Sequence, residues 1–119
     1  MIIGVGVDAV QISRFERKIT DTPKLLERLF SADERDASTQ TLAGRFAAKE
    51  AVIKALAGAT GIEWHGMQVT SEESGRPVVT LTGKTAEIAA GLGAVSFHLS
   101  ITHDGDMAIA FVVAEGGLA

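Results

Sequence analysis

Two apolar segments near the C-terminus constrain the fold of this chain more than any other feature. Residues 95–101, VSFHLSI, alternate strictly between apolar and polar side chains, and the segment MAIAFVV follows after the tight turn HDGD. The side chains expected to face inward are Val95, Phe97, Leu99 and Ile101. Because so short a turn joins antiparallel neighbours, the sequence predicts an antiparallel α+β domain rather than a doubly wound parallel sheet.

Helices and strands are mixed in order along the rest of the chain. Residues 2–7 predict a buried strand, and its glycine face, Gly4 and Gly6, would admit another backbone or a ligand at close range. The opposite face carries Ile3, Val5 and Val7. Ser31 with Glu34 forms a capping box that predicts a short helix. The other predicted elements are helices at 11–20, 22–30, 42–57 and 84–91 and a hairpin of strands at 67–72 and 77–82.

The segment RFAAKEAVIKAL, residues 45–56, places a carboxylate on an apolar helix face. At about 100° per residue, Phe46 and Ile53 share one face with Ala57, and Glu50 lies about 40° from Phe46. An unpaired carboxylate in that stripe is costly, so it needs a cation, a hydrogen-bond network or a metal ion. A solvated helix with an internal Glu50–Lys54 ion pair is the alternative interpretation of the same pattern.

The composition narrows the possible functions. A chain of 119 residues predicts one domain, residues 1–119, with little room for a deep cleft, which favours a site between subunits. The net charge of -4 argues against a general nucleic-acid binder. The absence of cysteine excludes disulfides, thiolate nucleophiles and cysteine-ligated zinc. No apolar stretch is long enough for a membrane span, and the start has no charged signal region, so a cytoplasmic protein is expected.

A dinucleotide-binding fingerprint is not predicted, although one short pattern fits it. Gly4, Gly6 and Ala9 satisfy G-x-G-x-x-A. The second glycine, however, lies inside the predicted strand, and Asp8 would oppose a pyrophosphate directly.

Of the three histidines, His103 is the candidate for function. His65 and His98 are expected at the surface, and three scattered histidines without metal spacing do not indicate zinc. His103, beside Thr102, stands where a strand enters a tight turn, a position that exposes a side chain on a rigid support.

Asp8 and Glu50 form a candidate magnesium site. Two carboxylates on rigid elements can hold Mg²⁺ when water and a substrate phosphate complete the octahedron. The cations expected to accompany a polyphosphate there are Arg45, Lys49, Lys54 and His103. For Asp8, an Asx turn at the end of the strand is the alternative.

Five blocks of the chain resemble holo-acyl-carrier-protein synthase, the short bacterial phosphopantetheinyl transferase family. They are GVGVDAVQISRF (4–15), FSADERD (30–36), RFAAKEAVIKALAGATGI (45–62), ESGRPVV (73–79) and SITHDGDMAIAFVVAE (100–115). The resemblance implies an α+β fold in a homotrimer with active sites between subunits. It also implies transfer of the phosphopantetheine arm from coenzyme A to a serine of apo-acyl carrier protein, releasing adenosine 3′,5′-bisphosphate.

The resemblance also implies roles for individual residues. Asp8 and Glu50 match the family's magnesium ligands, and Glu50 is expected to be a catalytic residue as well. Lys54 is similar to a lysine near the pyrophosphate. Arg45 and His103 resemble groups around the nucleotide and its 3′-phosphate, and Thr102 is expected to bind coenzyme A with them.

Asp36 falls at a family acidic position that acts on a metal-bound water in the proton relay, with Asp33 and Glu34 as neighbouring alternatives. A solvated helical acid is the other interpretation of Asp36. Two departures from the family pattern stand out. The connection from Asp36 to Arg45 is short, and Met107 occupies a position that is often aromatic.

Residues 14–28 form a candidate partner surface. Five basic residues against three acidic ones give this segment a net charge of +2 inside a chain of net charge -4. The resemblance implies docking of the strongly acidic acyl carrier protein on this helix, with Arg14 and Lys18 as the contacts. An ordinary solvated helix is the alternative. For the whole chain, the alternatives to the transferase are a magnesium-dependent nucleotide phosphohydrolase and a non-catalytic trimer that binds coenzyme A.

Overall fold

The computed structural model describes residues 1–117, which form five strands, five α-helices and one 3₁₀ turn. The strands are β1 (Ile2–Gln11), β2 (Met67–Ser71), β3 (Pro77–Leu81), β4 (Ala94–Asp104) and β5 (Met107–Gly116). The helices are α1 (Ile12–Asp21), α2 (Lys24–Leu29), α3 (Ala32–Arg35), α4 (Thr39–Ala55) and α5 (Gly83–Gly91), and the 3₁₀ turn spans Trp64–Gly66. No helix in this part of the chain is long and apolar enough to cross a bilayer.

The strands pair in two separate antiparallel groups. A three-stranded sheet has the order β1-β5-β4, and β2 pairs with β3 as an isolated hairpin. The predicted antiparallel α+β architecture is therefore confirmed. The capping box is confirmed too, because the Ser31 side chain meets the backbone of Glu34 while the Glu34 carboxylate accepts from the Ser31 N–H at 2.8 Å.

The β4–β5 hairpin follows the predicted alternation except at its first residue. Phe97, Leu99 and Ile101 are half-buried on the inner face, whereas Val95 is 68% exposed. A register shift between Ala94 and Ser96 causes the difference, because the bulge turns Val95 outward and buries Ala94 in its place. The inward assignment of Val95 was therefore wrong.

Helix α4 packs across β1 with almost no side chain between the two backbones. A Cβ added at Gly4 would lie 2.1 Å from the Ala55 carbonyl oxygen, and one added at Gly6 would lie 1.9 Å from that of Ala51. The predicted close approach of another backbone to this glycine face is confirmed, and the neighbour is α4.

The buried face of α4 is not the predicted one. Phe46, Ile53 and Glu50 lie on a half-buried flank, and Ala57 is beyond the helix end with a φ of +56°. The fully buried face consists mainly of small residues, namely Leu42, Ala43, Gly44, Ala47, Ala48, Lys49, Ala51, Val52 and Ala55. The large apolar side chains, from which the buried face was predicted, lie on the flank of the helix, and the alanines pack against the sheet.

The opposite face of the three-stranded sheet is uncovered in the single chain. Val5 and Val7 on β1 are 55% and 53% exposed, and Phe111 on β5, the ladder partner of Val7, is 45% exposed. In the single chain, the strand predicted to be buried at 2–7 is therefore covered on its glycine face but exposed at Val5 and Val7. An apolar sheet face of this kind is typical of a surface that packs against another molecule.

The contact between β1 and α4 predicts that Gly6→Ala destabilises the protein by at least about 2 kcal/mol, because a methyl group would overlap the Ala51 carbonyl. Urea denaturation measures the loss. Gly91→Ala is the matched control, since an added Cβ there meets no atom within 4 Å and should leave stability equal or slightly higher. Equal stability of the two variants would contradict the close packing.

Candidate active site

A cleft of about 630 Å³ brings the two predicted metal ligands together with the two predicted docking residues. We call it the carboxylate cleft, and its walls come from β1, α1, α4 and the start of β5. The residues that line it are Asp8, Ala9, Val10, Gln11, Arg14, Phe15, Lys18, Phe46, Glu50 and Met107. The sequence separation of these residues shows that the fold, and not a local motif, assembles the cleft.

Asp8 reaches the cleft because it continues the inner face of β1 after Gly4 and Gly6. Its carboxylate Oδ1 lies 3.2 Å from Lys54 Nζ, which also donates to the Val7 carbonyl at 2.9 Å. Lys54 therefore pairs with Asp8. The alternative of an internal Glu50–Lys54 ion pair is not found among the salt bridges of residues 1–117.

Glu50 makes no ion pair within residues 1–117, although the carboxylate of Asp8 lies close enough to affect its ionisation. Partial burial raises the pKa of its carboxyl, and the nearby charge of Asp8 raises it further, while Lys54 offsets part of the effect. Two carboxylates that repel each other at the edge of a cleft fit a divalent cation, which would relieve that repulsion. No third acidic, histidine or cysteine ligand completes a metal-binding group in the described part of the chain, so water and substrate oxygens would have to fill the other positions.

A second cleft, of about 180 Å³, contains the predicted nucleotide groups. We call it the hairpin cleft because β2 and the β2–β3 turn form one wall. The residues that line it are Thr41, Arg45, Val69, Thr70, Ser71, Gly75, Pro77, Ile101 and His103. Thr41, Ser71 and Gly75 were not predicted from sequence as site residues.

Helix α4 fixes the two basic groups of the hairpin cleft. Arg45 donates from Nη1 to the Glu34 carbonyl at 2.7 Å, and His103 Nε2 lies 3.0 Å from the Gln40 carbonyl oxygen. Gly44 makes room for the imidazole, since a Cβ there would lie 3.2 Å from His103 Nε2. The predicted site is thus divided in the single chain, with the carboxylates in one cleft and His103 in the other.

Four predicted site residues line neither cleft, namely Thr102, Asp36, Lys49 and Lys54, although Lys54 bonds Asp8. Thr102 is exposed, and the alternation along β4 turns it away from the face on which His103 meets α4. Asp36 is exposed at the C-terminal end of α3. The roles of Thr102 and Asp36 stay predictions.

Lys49 was predicted to accompany a polyphosphate, and the structure contradicts that role. Its side chain is completely buried and donates to the Glu34 carboxylate at 2.8 Å, the Leu29 carbonyl at 2.6 Å and the Trp64 carbonyl at 3.1 Å. Burial lowers the pKa of the Lys49 ammonium, and the bond to Glu34 opposes that shift. No phosphate can reach a group so enclosed.

Glu34 is likewise unavailable as a base, so it does not replace Asp36. Its side chain is completely buried, and its other oxygen accepts from the Val69 N–H at 2.8 Å. The pair Glu34–Lys49 therefore joins α3, α4 and β2.

Comparison with known proteins identifies the family. The model of a family described as the 4′-phosphopantetheinyl transferase superfamily matches residues 4–112. The holo-[acyl-carrier-protein] synthase of Clavibacter michiganensis subsp. michiganensis is 49% identical over 116 residues, covering 98% of both chains. This chain therefore belongs to the 4′-phosphopantetheinyl transferase superfamily and, within it, to the family of holo-[acyl-carrier-protein] synthases.

Solved structures agree with this assignment. The acyl carrier protein synthase of Mycobacterium tuberculosis superposes with a TM-score of 0.81 at 39% identity, covering 98% of this chain and 100% of the other. The holo-[acyl-carrier-protein] synthase of Helicobacter pylori in complex with coenzyme A superposes with a TM-score of 0.82 at 32% identity, covering 93% and 99%. The expected fold family is confirmed.

The burial of Glu34–Lys49 predicts that removing either partner destabilises the protein by about 3–5 kcal/mol, because the remaining charge or polar group is left in the core. Urea denaturation of Lys49→Met, Glu34→Gln and the double variant measures this loss. The double variant should be more stable than the sum of the single effects predicts. Lys54→Met, on the same helix but with a side chain 55% exposed, is the control and should cost less than about 1 kcal/mol. Additive effects would show that the pair does not act as a unit.

Proposed function

We propose that this chain transfers the phosphopantetheine arm of coenzyme A to a serine of apo-acyl carrier protein and releases adenosine 3′,5′-bisphosphate. The observation that carries the proposal is the carboxylate cleft, where Asp8 and Glu50 lie beside the basic residues Arg14 and Lys18. A site for the charged phosphates therefore adjoins a surface suited to an acidic protein. The name of the relatives and the coenzyme A complex of the Helicobacter pylori protein support the same reaction.

The described residues supply positioning and charge rather than a covalent intermediate. Asp8 and Glu50 would hold Mg²⁺, which when bound neutralises charge on the pyrophosphate. Lys54, next to Asp8, offers a cation to the same phosphates once its partner carboxylate binds another ion. If the carrier serine is held close to the pyrophosphate, its hydroxyl would need only to lose its proton and attack the phosphorus in line with the departing adenosine 3′,5′-bisphosphate.

Asp36 is proposed as the group that accepts the proton of the serine, directly or through water. Its exposure at the end of α3 leaves its carboxylate free to meet a bound partner. Asp36 does not line the carboxylate cleft of its own chain. The serine would therefore have to be brought to Asp36 by a neighbouring subunit or by the bound carrier protein.

We also propose that the enzyme works as a homotrimer with its sites between subunits. The uncovered sheet face around Val5, Val7 and Phe111 offers an apolar surface for assembly. The division of the site supports the same arrangement, because the carboxylate cleft of one chain and the hairpin cleft of its neighbour would together hold the two ends of coenzyme A. A cytoplasmic location stays part of this proposal.

One assay separates the proposed reaction from its alternatives. The intact mass of an apo-acyl carrier protein is measured after incubation with the enzyme, coenzyme A and Mg²⁺. A gain that matches one phosphopantetheine arm supports the transferase. Breakdown of the nucleotide without that gain would support a phosphohydrolase, and binding of coenzyme A without either change would support a non-catalytic trimer.

The metal proposal predicts that Asp8→Asn and Glu50→Gln each lower kcat/KM by at least about 100-fold, because an amide is a weaker ligand and removes charge that opposes the cation. Each variant should also need more Mg²⁺ for half-maximal rate. Glu87→Gln, an exposed carboxylate on α5, is the control and should behave as the wild type. Unchanged kcat of Asp8→Asn at limiting Mg²⁺ would remove Asp8 from the ligand set.

The assembly proposal predicts complementation between two inactive chains, Asp8→Asn and His103→Ala, whose defects lie in different clefts. If subunits exchange at random in an equimolar mixture, about one site in four combines two intact clefts, so about a quarter of wild-type activity should return. Light scattering should show trimers for both variants. Mixtures with no more activity than the separate variants would show that each site lies within one chain.

The docking proposal predicts that Arg14→Glu raises KM for the carrier protein and leaves KM for coenzyme A nearly unchanged. Wild-type efficiency should fall as the ionic strength passes about 0.1 M, and the variant should lose proportionally less. Lys84→Glu on α5, outside both clefts, makes the same change in net charge and serves as the control. The same salt dependence for both variants would place the docking surface elsewhere.

A further inference from the structure

Helix α1 begins without a capping side chain of its own. Gln11 occupies the N-cap position and makes no side-chain hydrogen bond, and the first turn contains no acidic residue. The N–H groups at a helix start need acceptors, and a helix whose first turn has none tends to fray.

Asp106, in the turn between β4 and β5, provides these acceptors from 93 residues away. Its Oδ1 accepts from the Ser13 N–H at 3.0 Å, and its Oδ2 accepts from the Ser13 hydroxyl at 2.5 Å. Its backbone carbonyl accepts from the Ile12 N–H at 2.7 Å. The carboxylate also lies at the positive end of the helix dipole, which stabilises negative charge there.

The turn is shaped to present this carboxylate. Gly105 has a φ of +55° at the first of the two loop positions, which is the requirement of a type II′ turn between antiparallel strands. The ladder partners Asp104 and Met107 hold the loop at its two ends, so the position of Asp106 is set by the sheet.

The first turn of α1 also carries one of the two docking residues. Arg14 directly follows Ser13, and both Arg14 and Lys18 line the carboxylate cleft. Met107, which directly follows Asp106, lines the same cleft. A bond that fixes Ser13 to the sheet therefore fixes the direction in which the Arg14 side chain leaves the helix.

We infer that Asp106 is a positioning residue for the acyl carrier protein, because it anchors the start of α1 and so orients Arg14 over the cleft. This inference rests on the proposed function. Asp106 lines neither cleft and acts only through Ser13 and the helix start.

The test compares Asp106→Ala with Asp104→Ala. Both remove one negative charge from the same exposed turn, but the Asp104 side chain makes no hydrogen bond within residues 1–117. Loss of a helix cap predicts a rise of about threefold to tenfold in KM for the carrier protein with Asp106→Ala. KM for coenzyme A should change less than about twofold, and Asp104→Ala should resemble the wild type in both constants.

A double-mutant cycle separates positioning from general stability. In an Arg14→Ala background, Asp106→Ala should have little further effect on KM for the carrier protein, because the side chain that it orients is gone. Ser13→Ala, which removes only the hydroxyl bond, should give an intermediate rise. Melting temperatures of all variants show that each is folded at the assay temperature.

Two failures can be told apart. If the wild type does not modify the carrier protein at all, the proposed function fails. If the wild type does modify it but Asp106→Ala keeps the carrier KM of Asp104→Ala, or adds its full effect to that of Arg14→Ala, then Asp106 does not position the docking helix.

Discussion

The buried ion pair between Glu34 and Lys49 is the interaction on which the arrangement of this domain depends. It joins a four-residue helix, the central helix and the β2–β3 hairpin through side chains that are completely buried. A carboxylate and an ammonium removed from water are costly, and the cost is offset only because each also bonds backbone groups, including Ser31, Val69, Leu29 and Trp64. The two helices and the hairpin can therefore satisfy both charged groups in only one relative arrangement. Arg45, which bonds the Glu34 carbonyl, takes its position in the hairpin cleft from the same connection.

Much of the fold could be predicted because its signals are local. The period-two alternation in β4, the capping box at Ser31 and the glycine face of β1 each indicate their structure from only a few neighbouring residues. The buried face of α4 could not be predicted in that way, because the large apolar side chains lie on the flank and the packed face consists mainly of alanines. The error misplaced Lys49, which looks like a surface cation unless its partner, 15 residues earlier, is known.

The candidate site shows the same limit at a larger scale. Asp8, Glu50 and Lys54 could be chosen from their types and from the family resemblance, and the fold brings them together. The sequence does not show that Lys54 bonds Asp8 rather than Glu50. Glu50 lies four residues before Lys54 on the same helix, whereas the contact with Asp8 depends on how that helix packs on β1. The division of the site into two clefts could not be predicted from the sequence either, because it depends on which faces of α4 contact β1 and the hairpin. Thr41 and Ser71 were missed for a simpler reason: a lone hydroxyl residue in a helix or strand carries no distinguishing pattern.

The contact of Gly4 and Gly6 with α4 has a consequence for ion binding. Asp8 and Glu50 stand on two backbones that touch each other directly, so no intervening side chain can change rotamer and alter their separation. The two carboxylates are thus held in place, and the proposed binding of a cation between them would need little reorganisation beyond their own χ angles and those of Lys54. Preorganisation of this kind is usually achieved with a dense shell of supporting hydrogen bonds. Here the absence of two side chains accomplishes it.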